Sequence, residues 1–584
     1  MVYAPSTILR MVPLPRYAGE ENKPPPTCRT APRSKPLTIA PLTLTAAPCA
    51  AEFSRSACMC GIAVAIDWDD AEATVARMIA AMAHRGDIDD PVLAPAKNTA
   101  MATRRLRIVD AVGGVQPQFS ADNRFLVSFN GEIYNHEALR RELEGHGVVF
   151  HTRSDTEVLA NALRVWGAGA LQRLVGMYAF VAFDLKTQEF LAARDPLGVK
   201  PLYLIQSQQG FLFCSEIRPL LNASETGEVM LLPPGHALTR TVFKPFARLA
   251  PEPGVAPTAD DPATLDRILD EAVRIRIPPD LPFATFMSGG IDSTLIAHYA
   301  ARYRPQAPGY FLGGPDAPDY AYAARFAERT GYDLRLVSLP EDHTGLIGEV
   351  VSTVESFEPS VIRDALCGYL LSQAAARDGF HVALCGEGAD ELFAGYAPLE
   401  AAYAEGAEYG DPVRAELLAG MHRSNLQRVD RCGMRFGLEV REPFLDPAVI
   451  AFALGLDASA LVHETAGAAV GKQPLRRLFD LHPERLPREI AERVKLPMHR
   501  GSGFDVSQAD APWIRHAETA LSDRDLADGQ RQFAAYDLRS KEELLYLRAL
   551  SQTLDITRVP HLAARERLNF PTLKRMERVA EYLV

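Results

Sequence analysis

Apolar and polar positions follow short repeating patterns from about residue 60 onward. The run CGIAVAID predicts a buried strand, and ATVARMIAAMAHRG has the spacing of a helix that ends at Gly86. RFLVSFNGEIYN predicts a strand, a turn at its glycine and polar residues that open the helix HEALRRELEGHG. MYAFVAFDLKTQEFLAARD and PLYLIQSQQGFLFCSE each predict a hairpin. Many strands with few helices indicate an α+β layered sandwich that extends to about Leu238.

The second half of the chain has a different pattern, in which helices alternate with single apolar strands. LDRILDEAVRIRI predicts a helix, and PFATFMSGGIDSTLIAHYAARY predicts a strand, a Gly-rich turn and a helix opened by Ser293 and Thr294. HVALCGEGADELFAGY repeats the strand and the Gly-rich turn. This order is typical of an α/β domain with a parallel sheet and additional helices, which binds ligands at the carboxyl ends of its strands.

These patterns divide the chain into segments. They are a Pro-rich extension at 1–59, the sandwich at 60–240, a linker at 241–262, the α/β domain at 263–560 and a tail at 561–584. A chain of 584 residues is too long for one core, which agrees with two domains. The extension has neither a helical nor a strand period, so we expect it to be disordered or absent from the mature protein. It also lacks the apolar run of a signal peptide, and we favour a start codon assigned too early over a removable leader.

Composition argues against several classes of function. The formal net charge of −12 argues against nucleic acid as the main partner. No apolar run is long enough to span a bilayer. The 8 cysteines form neither a disulfide framework nor a zinc-binding pattern, which predicts a cytoplasmic protein.

Cys60 carries the first candidate chemistry, provided that the functional chain begins there. A terminal cysteine has its own α-amine, which titrates at about pH 7.7–8.0 and can act as a base toward the thiol. A cysteine inside a chain has only an amide nitrogen beside it, which is not a base. Loss of Met59 from the sequence MCG would expose Cys60, whereas the alternative interpretation is a thiol buried in a strand.

Short motifs follow Cys60 in a fixed order. They are RRLRIVD, FNGEIYNH, RSDTEV and RDPLGVKPLYL, at 104–110, 129–136, 153–158 and 194–204. Together they closely resemble the glutaminase domain of class II glutamine amidotransferases, whose fold is of the Ntn type. The resemblance implies that Cys60 attacks the side-chain amide of glutamine, and that Asn130 and Gly131 form the oxyanion hole. It also implies the side chains that hold glutamine, which are Arg105 at the carboxylate and Asp155 and Glu132 at the amino end.

The Gly-rich turn SGGIDST, at 288–294, has the composition of an anion-binding loop. Glycine lets the backbone approach an anion, and the following helix offers free N–H groups at its N-terminus. The turn resembles the pyrophosphate-loop signature SGGxDS of ATP pyrophosphatases, and no GK[ST] sequence of a Walker A loop follows it. The resemblance implies that ATP is bound by Ser288, Gly289, Gly290, Asp292 and Ser293.

Both domains in this order resemble the asparagine synthetase family, over residues 59 to about 560. RFGLEVREPFLD and GKQPLRRLF, at 435–446 and 471–479, match the family patterns GVEARVPFLD and K-x-x-LR. The resemblance implies amidation of a carboxylate through an acyl-adenylate, with glutamine as the nitrogen donor and with release of AMP and pyrophosphate.

The same resemblance implies roles for residues of the second domain. Asp292 and Asp390 would bind Mg²⁺ on the pyrophosphate, since this ion prefers carboxylate and phosphate oxygens. Glu387 would act as the base during ammonia attack. Gly386 and Lys472 would contact the phosphates of ATP.

Two stretches depart from the family pattern where we expect the acceptor to bind. ESFEPSVIRDALC, at 355–367, keeps the arginine of the family but has apolar residues where the family has threonines. RVKLPMHRGSG, at 493–503, loses the Phe and Ser of the family. Aspartate is therefore the default acceptor, and another carboxylic acid is the first alternative. A catalytically silent binding or regulatory protein is the second alternative, and a homodimer is left open.

Overall fold

The computed structural model describes residues 60–563, except for 87, 106, 107, 109, 111, 112, 248, 250–259, 466–467 and 505–511. The extension at 1–59, half of the predicted linker and nearly all of the predicted tail lie outside these residues. Among the described residues, no helix has both the length and the apolar character needed to cross a membrane.

The first domain consists mainly of strands. They are β1 Gly61–Ile66, β2 Ile88–Asp89, β3 Leu93–Ala96, β4 Thr99–Arg105, β5 Gln118–Phe119, β6 Phe125–Ile133, β7 Gly176–Asp184, β8 Glu189–Arg194, β9 Tyr203–Ser207, β10 Gly210–Cys214, β11 Met230–Leu231, β12 His236–Leu238 and β13 Phe243–Pro245. The α-helices are α1 Ala71–Ala81, α2 His136–Gly145, α3 Asp155–Trp166 and α4 Ile217–Ala223.

The strands form two antiparallel sheets that face each other. One sheet has the order β11-β9-β10-β1-β4-β2 with β3 beside β4, and the other has the order β13-β12-β8-β7-β6-β5. Alternate residues of β1 define the layers, because Ile62 and Val64 lie in the core between the sheets while Ala63 and Ala65 pack beneath α1. Helices α2 and α3 cover the outer face of the second sheet. This arrangement confirms the predicted α+β layered sandwich.

Two local predictions in the first domain are corrected. The turn predicted at Gly131 is wrong, because β6 continues through this residue to Ile133 and pairs with β7 along its whole length. The stretch predicted as a linker contains strand β13, which extends the second sheet beside β12. At Gly131, pairing with a strand more distant in the chain decides the local structure, whereas β13 forms a hairpin with β12, which directly precedes it.

The second domain alternates strands and helices. Its strands are β14 Ala284–Phe286, β15 Gly309–Leu312, β16 Leu334–Val337, β17 Val382–Leu384, β18 Glu439–Arg441, β19 His463–Thr465 and β20 Ala468–Val470. Its α-helices are α5 Pro262–Arg274, α6 Ile291–Tyr303, α7 Tyr320–Thr330, α8 Ile347–Val354, α9 Pro359–Arg377, α10 Ala389–Phe393, α11 Ala397–Glu405, α12 Ala407–Gly420, α13 Asn425–Met434, α14 Pro447–Leu454, α15 Ala458–Leu461, α16 Gln473–Leu481, α17 Arg488–Glu492, α18 Met498–Gly501, α19 Pro512–Ala520, α20 Asp523–Gln532 and α21 Lys541–Ser551.

A parallel sheet forms the centre of this domain, in the order β16-β15-β14-β17-β18. The chain moves outward from β14 first through β15 and later through β17, so the strand order reverses at β14. The loops that follow β14 and β17 therefore lie side by side at the carboxyl edge, where such sheets bind ligands. This topology confirms the predicted α/β fold, although α6 begins at Ile291, two residues before the predicted position.

Buried ion pairs connect the two domains. Arg85 contacts Asp430 at 3.1 Å, and Glu216 contacts Arg431 at 3.1 Å. Edge strand β18 faces the first domain, and its Arg441 contacts Glu132 at 3.0 Å. Since removal of one partner of a buried pair leaves an uncompensated charge, these contacts fix the relative position of the domains.

Two candidate active sites

A partly open cavity lies at the start of β1. The predicted glutaminase residues that line it are Cys60, Arg105, Gly131, Glu132 and Asp155. The fold thus brings together residues from distant parts of the first domain, at the ends of β1, β4 and β6 and at the beginning of α3.

Cys60 and Arg105 are positioned by adjacent strands. Cys60 directly precedes β1, and β1 pairs with β4, which ends at Arg105. The Cys60 carbonyl oxygen accepts a hydrogen bond from Nε of Arg85 at 3.3 Å. The Arg105 Nε donates to Asp90 at 2.8 Å, and Asp90 also accepts from the Gln116 N–H. This pairing fixes the plane of the Arg105 guanidinium at the cavity wall.

Asn130 precedes Gly131 in β6 and is fully buried. Neither polar atom of its side-chain amide has a hydrogen-bond partner among the described residues. An unpaired buried amide costs about 1–3 kcal/mol, and such groups are rare unless they have a functional role. A side chain in this state is suited to donate to a ligand oxygen, although Asn130 itself is not among the residues that line the cavity.

Gly131 has a conformation that other residues do not tolerate. Its φ is +149°, and a Cβ atom there would lie 2.1 Å from the carbonyl oxygen of Met177 on the paired strand. We expect Gly131→Ala to lower the free energy of unfolding by about 3 kcal/mol or more and to remove glutaminase activity. Urea unfolding and glutamate release are the measurements.

Gly169→Ala is the matched control, because no atom lies within 4 Å of a Cβ built at that position. It should change the free energy of unfolding by less than about 0.5 kcal/mol. Equal stability of the two variants would contradict the steric argument.

Carboxyl groups are concentrated on one side of the cavity. The Asp155 carboxylate accepts from the Ile133 N–H at 3.0 Å, and Glu132 is held by Arg441. Burial raises the pKa of both acids; Glu439 raises both further, whereas Arg441 opposes the rise. These acids form a site suited to a cationic group such as the ammonium of an amino acid.

Glutamine affinity should therefore depend on pH. Burial raises the pKa of Glu132 to about 8 and that of Asp155 to about 6. An ammonium group binds the ionised acids. The affinity is therefore highest above the pKa of Glu132 and is lost as the pH falls through the pKa of Glu132 and then that of Asp155. We expect at least about a tenfold weakening between pH 8.5 and 5.5.

Calorimetry of glutamine binding to the Cys60→Ala variant measures this effect without turnover. The groups that face Glu132 are Arg441, Asp155, Glu439 and His136. Asp155→Asn should weaken binding and remove the lower part of the pH dependence. An affinity independent of pH would show that these acids do not contact the ligand.

The second candidate site lies where the loops after β14 and β17 meet. Ser288 and Ser293 are hydrogen-bonded to each other across the turn, with 3.1 Å between their hydroxyl oxygens. Gly289 has φ +68°, and Gly290 is the N-cap of α6. A Cβ on Gly386 would lie 2.8 Å from the Asp292 Cβ, so this glycine lets the two loops approach closely.

Two lysines connect the carboxylates predicted to bind metal. The Lys472 Nζ lies 2.5 Å from both Asp292 and Asp390, and the Lys495 Nζ lies 2.6 Å from Asp390. Burial alone would raise the pKa of Asp390, but these two lysines hold it well below its usual range. The predicted residues Asp292, Asp390 and Lys472 thus form one charged cluster.

The cluster has the donor set of a magnesium–phosphate site. The buried Asp292 Oδ1 has no hydrogen-bond partner among the described residues. Within the same part of the chain, no three His, Cys, Asp or Glu side chains are grouped as a metal site by themselves. Two carboxylates with nearby lysines fit an ion that takes its remaining ligands from phosphate and water.

Glu387 is close to this cluster, on the loop after β17. Its carboxylate accepts from Arg428 at 2.5 Å and from the side-chain amide of Asn425 at 3.1 Å. Asn425 also donates to Glu391 at 2.8 Å. Burial, together with the charges of Asp390 and Glu387, raises the pKa of Glu391 to about 7.

Comparison with known proteins identifies the family of each half of the chain. The glutamine amidotransferase domain family matches residues 59–240, and the asparagine synthase family matches residues 264–419 and 410–559. Asparagine synthetase (glutamine-hydrolyzing) 1 of Arabidopsis thaliana is 30% identical over 84% of this chain and 85% of its own length. The chain belongs to the asparagine synthetase family. The predicted family and the predicted enzyme class, a glutamine-hydrolysing ligase, are confirmed.

Two further matches show the range of similarity. The asparagine synthetase (glutamine-hydrolyzing) of Sandersonia aurantiaca is 31% identical over 76% of this chain and 87% of its own length. A solved glutamine phosphoribosylpyrophosphate amidotransferase from B. subtilis is 18% identical over 49% of this chain and 67% of that chain. Its TM-score of 0.29 is too low to support an argument.

The two stretches that depart from the asparagine synthetase pattern contact each other. The His499 Nδ1 lies 2.7 Å from Asp364, which also accepts from Arg428 at 3.1 Å. Arg363, the arginine that this chain shares with the family pattern, does not take part in this contact and is bound to Glu542 at 2.5 Å. The two stretches meet beside Arg428, which also donates to Glu387, and the sequence does not reveal which side chains face Glu387.

Several residues near the sites have no role in the sequence-based predictions. They are Arg428 and Asn425 beside Glu387, Lys495 beside Asp390, and Glu439 and Arg441 beside Glu132. Glu439 and Arg441 lie within the motif RFGLEVREPFLD, which by itself carries no information about contact with the first domain.

Proposed function

We propose that this enzyme transfers ammonia from glutamine to a carboxylate activated by ATP, with aspartate as acceptor and asparagine as product. The observation that supports this most directly is the presence of both sites in one chain. The first domain contains a cysteine beside a cavity whose arginine and carboxylates suit the two charged groups of an amino acid. The second domain contains an anion-binding loop beside two carboxylates and two lysines. The identity of the acceptor rests on the names of the relatives.

In the first domain, the Cys60 thiolate attacks the amide carbon of glutamine. Asn130 and the Gly131 N–H stabilise the oxyanion that forms, and ammonia leaves. Water then hydrolyses the thioester, which releases glutamate and restores the thiol. Arg105 holds the carboxylate of glutamine, and Asp155 and Glu132 hold its ammonium group.

In the second domain, a carboxylate oxygen of the acceptor attacks the α-phosphorus of ATP, and pyrophosphate leaves. The turn at 288–293, Gly386 and Lys472 bind the phosphates. Asp292 and Asp390 would hold Mg²⁺, which neutralises charge on the pyrophosphate. Ammonia attacks the acyl carbon of the adenylate, and Glu387 accepts a proton from it. The bond between the acyl carbon and the phosphate oxygen then breaks, and AMP leaves with the electron pair.

The acceptor is tested by supplying a set of carboxylic acids with ATP, Mg²⁺ and glutamine. Pyrophosphate and amide are measured separately for each acid. Amide formation that is fastest with aspartate supports the proposal. Faster amidation of another acid would favour the alternative acceptor, for which the His499–Asp364 contact in a divergent stretch is the supporting observation. No pyrophosphate with any acid would favour a silent homologue.

We also propose that the active chain begins at Cys60, because only a terminal residue has an α-amine to accept the thiol proton. A chain that starts at Cys60 should hydrolyse glutamine at least about a hundredfold faster than a chain that retains residues 1–59. Mass spectrometry of both preparations establishes which N-terminus is present. Equal rates from two verified preparations would contradict the α-amine argument.

A further inference from the structure

The cavity beside Cys60 includes one residue of the second domain. Glu439, the first residue of β18, lines this cavity together with the residues of the first domain. We propose that Glu439 binds the ammonium group of glutamine and that Arg441 positions Glu132, so that the glutamine site is shared between the two domains. This inference rests on the proposed function of the Cys60 cavity.

Contacts from both domains fix Glu439. Its side chain is 2% exposed, and its Oε1 accepts from the Arg441 Nε at 2.7 Å. Its Oε2 lies 4.0 Å from the Lys200 Nζ, which belongs to the first domain. A carboxylate that lines a cavity and is held on both oxygens has a fixed orientation. Recognition of a small cation requires such an orientation.

Arg441 connects the Glu439 carboxylate to Glu132, which is predicted to bind the substrate glutamine. Its Nη2 lies 3.0 Å from Glu132, and its Nη1 donates to the carbonyl oxygen of Arg276 at 2.8 Å. With Glu439 as the third partner, the guanidinium is fully held. Arg441 therefore acts on glutamine through Glu132 and Glu439, as a positioning residue.

The charges in this region favour a ligand with an ammonium group. Glu132, Asp155 and Glu439 are buried together, and Arg441 is the cation paired with two of them. All three of these acids line the same cavity as Cys60. A bound ammonium would balance the remaining negative charge, and Arg105, which lines the same cavity, is the proposed partner of the ligand's carboxylate.

The same strand reaches the second site. The carbonyl oxygen of Arg441 accepts a hydrogen bond from the Cys385 N–H at 3.0 Å, two residues before Glu387. A shared glutamine site thus places the second domain in direct contact with the nitrogen donor.

The test compares glutamine with its analogue that lacks the α-amine, 4-carbamoylbutanoate. Glutamate or glutarate release is measured with the full chain that begins at Cys60. The wild-type enzyme should prefer glutamine strongly, and Glu439→Gln should reduce this preference at least tenfold, mainly through the KM for glutamine. Ammonium-dependent amide formation should be retained, which also shows that the variant is folded.

Glu355→Gln is the matched control, since Glu355 is buried at the domain interface and bound to Arg431 at 2.8 Å but does not line the cavity. It should leave the preference unchanged. An unchanged preference in Glu439→Gln would overturn the proposal. If that variant does not fold, Glu439→Asp serves in its place, and an unchanged preference there has the same meaning.

Arg441→Lys tests the positioning role by its pH profile. With a weaker partner for Glu132, the pH below which glutamine affinity is lost should move upward, because the charge of Arg441 opposes the rise in the pKa of Glu132. An unmoved profile would overturn that role. Failure of the wild-type enzyme to release glutamate from glutamine would instead refute the proposed function, so the two outcomes are distinguishable.

Discussion

Replacement of Cys60 by alanine should reduce glutamine-dependent amide formation by at least about a thousandfold, because Cys60 is the proposed nucleophile that forms the thioester. Ammonium-dependent amide formation should continue, because in the proposed reaction the second site needs only ammonia from the first. The two activities are measured in parallel, with amide as the product in each.

Cys214→Ala is the matched control for this substitution. Cys214 lies on β10 opposite Ala63 of β1, and burial raises the pKa of its thiol to about 12. A thiol of this kind is not a nucleophile at neutral pH, so both activities should be retained. If Cys60→Ala lost ammonium-dependent synthesis while remaining folded, the model of two separate sites would be wrong.

Asp292→Asn should affect the other half of the reaction, so that activation of the acceptor is lost and glutamine hydrolysis is kept. The substitution removes one of the two carboxylates that surround Lys472, and it removes a proposed ligand of the ion that balances charge on pyrophosphate. Amide formation should fall by at least about a hundredfold with glutamine and with ammonium alike, since activation of the acceptor precedes both. Glutamine hydrolysis should persist.

Pyrophosphate and amide must be followed separately in this experiment. Glu387→Gln should still release pyrophosphate but should form little amide, because its proposed role comes after adenylation. Asp378→Asn is the control, because Asp378 lies in an exposed ion pair with Arg335 and such pairs contribute little. Normal amide yield from Asp292→Asn would remove the turn at 288–294 from the mechanism.

Normal amide yield from Glu387→Gln would leave the base unassigned. Glu391 would then be the next residue to test, since its carboxyl shares the amide of Asn425 with Glu387. Its raised pKa, about 7, is suited to accepting a proton near neutral pH.

Most of the strands and helices that sequence periodicity predicted are present in the structure, because the alternation of apolar residues records which face of an element is buried. It failed at Gly131. There the sequence suggests a turn, but pairing with β7 keeps the strand extended, and only the absence of a side chain allows the close approach to Met177. Long-range pairing of this kind leaves no local signal.

The sequence by itself determined the family, the two-domain order and the loops that carry the candidate residues, because these depend on short motifs and on local patterns. Only the tertiary structure decided which side chains meet. Lys472 contacts Asp292 across 180 positions of the chain, and Arg441 contacts Glu132 across 309. Such contacts arise from the order of strands in a sheet and from the packing of one domain against the other. A single sequence does not specify them, since any charged residue at those positions would give the same local pattern.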